Sequence, residues 1–259
     1  MNPVESKFKE LRLAGKKAFI PYIMGGDPGL TETGKLLEIL AGNGADLIEV
    51  GAPFSDPVAD GPVIQQAAVR SLKNGCTLTK LLTCLKEAGR GLDTPIILMI
   101  YYNMIFQRGL VKFFEKLQAA GCAGLIIPDL PFDEAAEVCR VAEQFKIGLN
   151  FLVAPTSSDN RITSAATAST GFIYAVSLKG VTGVRSSLPP ELPDFVKRVK
   201  MKTEKPVAVG FGIATPEYAG RVAGLADGVI VGSAIVKTAA ADPGFRETTK
   251  LLTALRAAI

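Results

Sequence analysis

The sequence predicts an α/β fold: a single (β/α)8 barrel domain spanning residues 1–259, with an extra N-terminal helix. Three observations carry that prediction. Short apolar runs rich in Val, Ile and Leu recur at roughly the 30-residue spacing of strand–helix units. The runs are apolar throughout instead of alternating, as strands covered on both faces are, and such strands are parallel. The length suits a barrel, which commonly uses about 250 residues as one domain.

The elements follow in order. A charged opening segment, about residues 3–15, is expected to form an extra helix that plugs the barrel bottom. Strands are predicted at 18–23, 47–50, 96–100, 124–127, 148–153, 172–176, 207–209 and 228–231, each followed by Gly, Pro or Asp. Helices are predicted at 30–42, 62–72 with 79–88, 111–120, 134–145, 161–168, 191–199, 216–223 and 245–258. Thr31, Ser157 and Thr215 stand where N-caps are expected. An open doubly wound sheet is the competing architecture. It usually has fewer strands and a glycine fingerprint after the first, whereas Gly25-Gly26-Asp27-Pro28 follows the first strand here.

Composition narrows the function. The chain has 29 basic and 25 acidic residues and no long Lys/Arg block, so it carries no nucleic-acid footprint. The mild positive excess fits an anionic small molecule. Cys76, Cys84, Cys122 and Cys139 show neither CxxC pairing nor ligand spacing, and there is no histidine, which argues against zinc and for reduced packing thiols in the cytosol. No apolar run approaches the ~20 residues of a membrane span. Without histidine, carboxylates are the leading candidates for proton transfer near neutral pH.

The most informative stretch is LIEVGAPFSDPVADGP, residues 47–62. An apolar strand ends in Glu49, and a stiff Gly/Pro loop then carries Asp56 and Asp60. Chemistry on a barrel belongs at the C-terminal ends of the strands, which puts Glu49 and this loop at one mouth. Burial between Ile48 and Val50 would raise the Glu49 pKa toward the range useful for acid/base work. Asp60 precedes Gly61-Pro62 and also suits a helix cap; Asp56 sits in a Ser-Asp-Pro turn. Spacing alone does not choose between the two aspartates.

Three glycine segments fall late in the chain: 179–183, 210–213 and 232–234. Loops after the last two strands of a barrel, with the N-terminus of a short helix, commonly hold phosphate through backbone amides. Ser233 adds a hydroxyl. The polar segment 177–190, with Arg185, Ser186 and Ser187, reads as a lid or as an ordinary surface loop. Tyr22, Met99, Tyr101, Ile126, Leu152, Tyr174, Phe211 and Ile230, near strand ends, are candidates to line a pocket for a flat apolar group, with Tyr174 and Phe211 the better placed.

The motif at 47–62 closely resembles the signature of the tryptophan synthase alpha subunit family. So do PYIMGGDP (21–28), YYN (101–103), IPDLP (127–131), APTS (154–157), KGVTG (179–183), GFGI (210–213) and GSAIV (232–236), in order over nearly the whole chain. The resemblance implies a cofactor-free carbon–carbon lyase that cleaves indole-3-glycerol phosphate to indole and glyceraldehyde 3-phosphate. It implies Glu49 as the general acid/base and Asp60 as the carboxylate that stabilises positive charge at the indole nitrogen, with Asp56 left to loop structure. It implies Gly183, Gly212, Gly232 and Ser233 as phosphate contacts, Thr182 as a lid residue that meets the aspartate, and Tyr174 with the apolar set as the indole pocket. It also implies a pyridoxal-phosphate beta subunit as partner in an alpha2beta2 complex. The location implied is the cytoplasm, or the plastid stroma where a transit peptide has been removed.

Two positions depart from the family pattern: Met104, where many members have Pro, and Val63, where many have Thr. A standalone lyase, another phosphosugar barrel and a barrel that only activates a partner are the alternatives. A synthase of the same substrate would rely on a strand-end lysine, and none occupies such a position. Retention of both Glu49 and Asp60 argues against the pure activator.

Overall fold

The computed structural model describes residues 1–176, 189–210 and 212–259. Nine parallel strand segments form one sheet. They are β1 (Ala18–Met24), β2 (Ile48–Gly51), β3 (Ile96–Met99), β4 (Cys122–Ile126), β5 (Gly148–Leu149), β6 (Leu152–Val153), β7 (Ile173–Val176), β8 (Val207–Gly210) and β9 (Gly228–Val231). Their order is β5-β4-β3-β2-β1-β9-β8-β7-β6. The two terminal segments are consecutive in the chain, so the ring closes through Asn150 and Phe151. The fifth predicted strand is thus two short pieces. The buried Asn150 carries the interruption: its Nδ2 donates to the Leu125 carbonyl at 3.2 Å and its Oδ1 accepts from the Phe172 amide at 2.9 Å. A side-chain amide there replaces ladder bonds between neighbouring strands.

Inward and outward faces separate cleanly, as the period-2 geometry of strands requires. Ile48, Val50, Leu98 and Leu125 join the layer between sheet and helices. Ile20, Tyr22, Ile97, Met99, Ile126, Tyr174 and Ile230 form a second cluster inside the barrel. The N-terminal helix α1 (Pro3–Leu13) closes the bottom with Val4, Phe8 and Leu11. Four glycines clear its path. A Cβ on Gly124 or Gly171 would lie 3.0 Å from Val4, one on Gly148 2.8 Å from Asn2, and one on Gly228 3.4 Å from Phe8. The Phe8 and Phe172 rings pack with centroids 5.4 Å apart.

The helices around the ring follow the predicted positions within a few residues, and two caps differ. The helix α2 (Leu30–Gly42) is preceded by Gly29, so Thr31 lies in its first turn and is not the cap. In α8 (Asp159–Ala168) the cap is Ser158, whose side chain accepts from the Arg161 amide. Ser157 instead accepts from the Ala154 amide and tightens the preceding turn. Thr215 caps α10 (Pro216–Ala223) as expected. Two helices were not anticipated: α5 (Tyr102–Phe106) and α11 (Ser233–Ala241). No helix among the described residues is long and apolar enough to cross a membrane.

Candidate active site

The site grows from strand β2. Ile48 and Val50 point outward, so Glu49 must point into the barrel, and it is fully buried there. Parallel register sets Glu49 beside Tyr22 on β1 and Ile97 on β3. Neither carboxylate oxygen has a hydrogen-bond partner among the described residues. Buried polar atoms are ordinarily partnered, which makes Glu49 a candidate for chemistry. Burial pushes the Glu49 pKa from the usual 4.5 to about 8, and the negative charge of Asp60 adds to the rise.

Asp60 reaches the same cavity from the loop after β2. Its environment differs in kind. It is half-buried, with a pKa raised by burial to about 6, and a hydrogen bond from Tyr101 works against that rise. The Tyr101 hydroxyl also accepts from the Ala59 amide at 3.0 Å, and its ring stacks on Phe54 with centroids 5.1 Å apart. One tyrosine thereby fixes both ends of the short loop segment that carries Asp60. The following helix, α3 (Pro62–Lys73), is capped by Gly61 without a side-chain bond, so capping does not consume the Asp60 carboxylate. Asp56 is exposed and accepts from the Ser55 hydroxyl at the loop surface. The choice that spacing left open is therefore a geometric one: of the two aspartates, only Asp60 lines the cavity with Glu49.

The cavity holds about 50 Å³. Tyr22, Glu49, Asp60, Met99, Tyr174 and Ile230 surround it, and Gly212, Gly232 and Ser233 close one side. Burial raises both the Tyr22 and Tyr174 pKa values well above 10, with the nearby carboxylates adding to the effect, so both hydroxyls stay protonated. Two strand-end glycines make room for them. A Cβ on Gly51 would lie 2.0 Å from the Tyr22 hydroxyl, and one on Gly210 2.5 Å from that of Tyr174. Gly232 stands at the N-cap of α11 and Ser233 is its first residue. Amides in a first helical turn lack helical acceptors, and here that turn faces the cavity. Gly212 has φ +78°, a left-handed conformation that favours glycine.

A family model described as "Tryptophan synthase alpha chain" matches residues 8–257. A relative of that name from Trichormus variabilis is 46% identical over 263 residues, covering 100% of this chain and 99% of its own. The chain belongs to the tryptophan synthase alpha chain family. A Geobacter sulfurreducens alpha chain is 43% identical at 100% and 99% coverage. The solved alpha subunit of Legionella pneumophila superposes with a TM-score of 0.92 at 36% identity, covering 100% of this chain and 98% of that one. A Mycobacterium tuberculosis tryptophan synthase structure gives 0.91 at 36% identity, covering 99% and 97%.

Not every residue proposed from the sequence lines the cavity. Tyr101 touches it through Asp60. Ile126 is fully buried in the barrel interior beside Met99 in register. Leu152 packs against the same interior cluster, opposite Tyr174. Thr182, Gly183, Phe211 and residues 177–188 of the proposed lid segment, Arg185 among them, lie outside the described residues. Sequence reasoning passed over Gly61 and Ile64, which line the cavity, and Gly51, which admits Tyr22; it singled out Gly210 in a glycine segment but not as the residue that admits Tyr174. A glycine two places after an inward strand residue was the available signal. Met104 falls in α5, where its amide donates to the Tyr101 carbonyl at 3.1 Å, a bond that proline would lack. Val63 packs against the interior cluster.

Proposed function

We propose that Glu49 and Asp60 divide the proton work of the family's lyase reaction. The reaction belongs to tryptophan biosynthesis and splits indole-3-glycerol phosphate into indole and glyceraldehyde 3-phosphate. Glu49, protonated at neutral pH, gives its proton to indole C3. The ring nitrogen then carries positive charge, and the ionised Asp60 faces it. The Glu49 carboxylate next takes the proton of the side-chain hydroxyl next to C3. The C–C bond breaks, its electrons restore the aromatic ring, and the hydroxyl carbon leaves as the aldehyde. The proton count closes, because Glu49 ends as it began.

The observation that carries this reading is the pair of unlike carboxylates on one cavity: Glu49, without a hydrogen-bond partner among the described residues and near 8, and Asp60, steadied by Tyr101 and near 6. Two acids whose environments separate their pKa values are suited to acid and base roles at one pH. Tyr22, Met99, Tyr174 and Ile230 support an indole pocket with Tyr101, Ile126 and Leu152 around it; the family motif adds Phe211, outside the described residues. Gly212 after β8, with Gly232 and Ser233 at the start of α11, supports a phosphate site; the family motif adds Gly183 and Thr182 to that reading, both outside the described residues. No cofactor enters these steps.

The same reading extends to a beta subunit that carries pyridoxal phosphate, in an alpha2beta2 complex in the cytoplasm or plastid stroma. Two apolar side chains on the mouth rim support a docking face there: Val58 is 83% exposed in the Asp60 loop and Phe106 72% exposed at the end of α5. We take residues 1–259 to act as one domain. The test is indole release from indole-3-glycerol phosphate by the chain alone and with a beta subunit, with Glu49→Gln and Asp60→Asn alongside. Activity that rises with the partner and collapses in both variants supports the reading. No cleavage under either condition overturns it.

A further inference from the structure

A cavity much larger than the one at the mouth lies at the other end of the barrel. It holds about 540 Å³ between α1, the turn after it, and the loops that lead into β7, β8 and β9. Its charge is lopsided. Six cations line it, Lys9, Arg12, Lys16, Lys17, Lys200 and Lys205, against three acids. That difference of three is most of the chain's net +4. We propose that this cavity is a binding site for a small, multiply charged anion of the phosphate-ester or pyrophosphate class.

The partners decide the argument. Asp227 is already occupied: it pairs with Lys200 at 2.9 Å and Lys17 at 3.8 Å, and accepts from the Val207 amide at 2.9 Å. Lys205 donates to the Ser169 carbonyl. Glu5 and Glu204 are exposed at the rim. The side chains of Lys9, Arg12 and Lys16 make no ion pair or hydrogen bond among the described residues. Lys9 and Arg12 are three apart on α1, hence on one face, and Lys16 extends the row past the helix end. Three unpaired cations gathered in a concave site repel one another and raise the local concentration of anions. Neutral donors stand ready as well. Thr170 Oγ1 accepts from the Leu149 amide and Thr203 Oγ1 from the Lys205 amide, so each keeps a hydroxyl proton to give. The buried ring of Phe8 supplies an apolar wall. A concave site favours a compact ligand over a nucleic-acid strand or a membrane surface.

The experiment measures pyrophosphate binding to the full chain, by calorimetry and by thermal shift, against chloride at equal ionic strength. The proposed phosphate site at the mouth must be separated from this one, so Gly232→Asp, which puts a negative charge there, is measured in parallel. The decisive variant is Lys9→Gln/Arg12→Gln/Lys16→Gln, all at exposed positions away from the catalytic end. Expected is a thermal shift in the wild type that survives Gly232→Asp, and binding weakened at least about tenfold in the triple variant, whose cleavage rate is unchanged. Amide signals of Gly15 and Thr170 should move on titration, a readout that does not depend on how Gly232→Asp folds. Shifts confined to the mouth, binding lost in Gly232→Asp but kept in the triple variant, equal binding in all three, or no binding at all would each overturn the proposal.

Discussion

The two ends of one barrel treat polar atoms in opposite ways. At the bottom, Asn2 and Asn150 are buried and satisfied. Asn2 Nδ2 donates to the Thr170 carbonyl and its Oδ1 caps α1, while Asn150 joins strands on either side. At the mouth, Glu49 is buried more completely, and neither of its carboxylate oxygens has a hydrogen-bond partner among the described residues. The glycines differ in the same sense. Those at the bottom let a helix into the barrel, and those at the mouth let tyrosine hydroxyls lean over a cavity. A satisfied buried polar group contributes stability; an unsatisfied one costs stability and is retained for chemistry.

The largest predicted effect breaks the mouth and spares the bottom. Glu49→Gln should lower the cleavage rate by about 10²–10⁴-fold without loss of fold. Its stability should even rise with pH relative to the wild type. The folded-state pKa of Glu49 lies above its usual 4.5, at about 8. The folded chain therefore holds an extra proton inside that window, and wild-type stability falls as pH rises through it. The uncharged variant escapes this loss. Denaturant midpoints of the two proteins should coincide near pH 4.5 and separate, with the variant higher, by pH 8.

The converse variant breaks the bottom and spares the mouth. Phe8→Ala removes a ring packed on Phe172 under the sheet and should cost about 3–5 kcal/mol of stability. The rate measured well below its lowered Tm should be unchanged. A smaller effect sharpens the comparison inside the mouth. Gly51→Ala drives a methyl into the Tyr22 hydroxyl and should cost about 1–3 kcal/mol with some loss of activity. Adding Tyr22→Phe should recover part of that stability. If Tyr22→Phe recovers nothing, the hydroxyl is not what the glycine accommodates. The smallest effect is at Asp56: Asp56→Asn changes an exposed loop acid and should leave the isolated chain's rate within about twofold and its stability within about 0.5 kcal/mol.

The barrel was legible because burial on both faces leaves a continuous apolar run, and eight such runs were there to read. The break at Asn150 was not, since an Asn inside an apolar run carries no local sign of which strands it will join. The helix α11 escaped because residues 232–234, directly after the last strand, read as a glycine segment, while α5 has five residues and shows no period. The caps Gly29 and Ser158 were missed by two residues and by one, the ordinary error when several small polar residues are adjacent. At the site, Glu49 announced itself as an acid ending an apolar strand. Asp60 and Asp56 did not separate without the family motif, because what distinguishes them is Tyr101, forty-one residues from Asp60 in the chain and in contact only once the ring closes.

The central claim is that the free protein works with Glu49 protonated and Asp60 ionised. The measurement that tests it most directly is the pH dependence of kcat/KM for indole-3-glycerol phosphate cleavage, wild type against Asp60→Asn. The account predicts a bell with limbs near 6 and 8. In Asp60→Asn the remaining rate should lose the acid limb, and the alkaline limb should move down, because the Asp60 charge helps to raise Glu49. A profile that is flat from pH 5 to 9 on this scale of about one unit per limb, or an acid limb that survives Asp60→Asn, would contradict it.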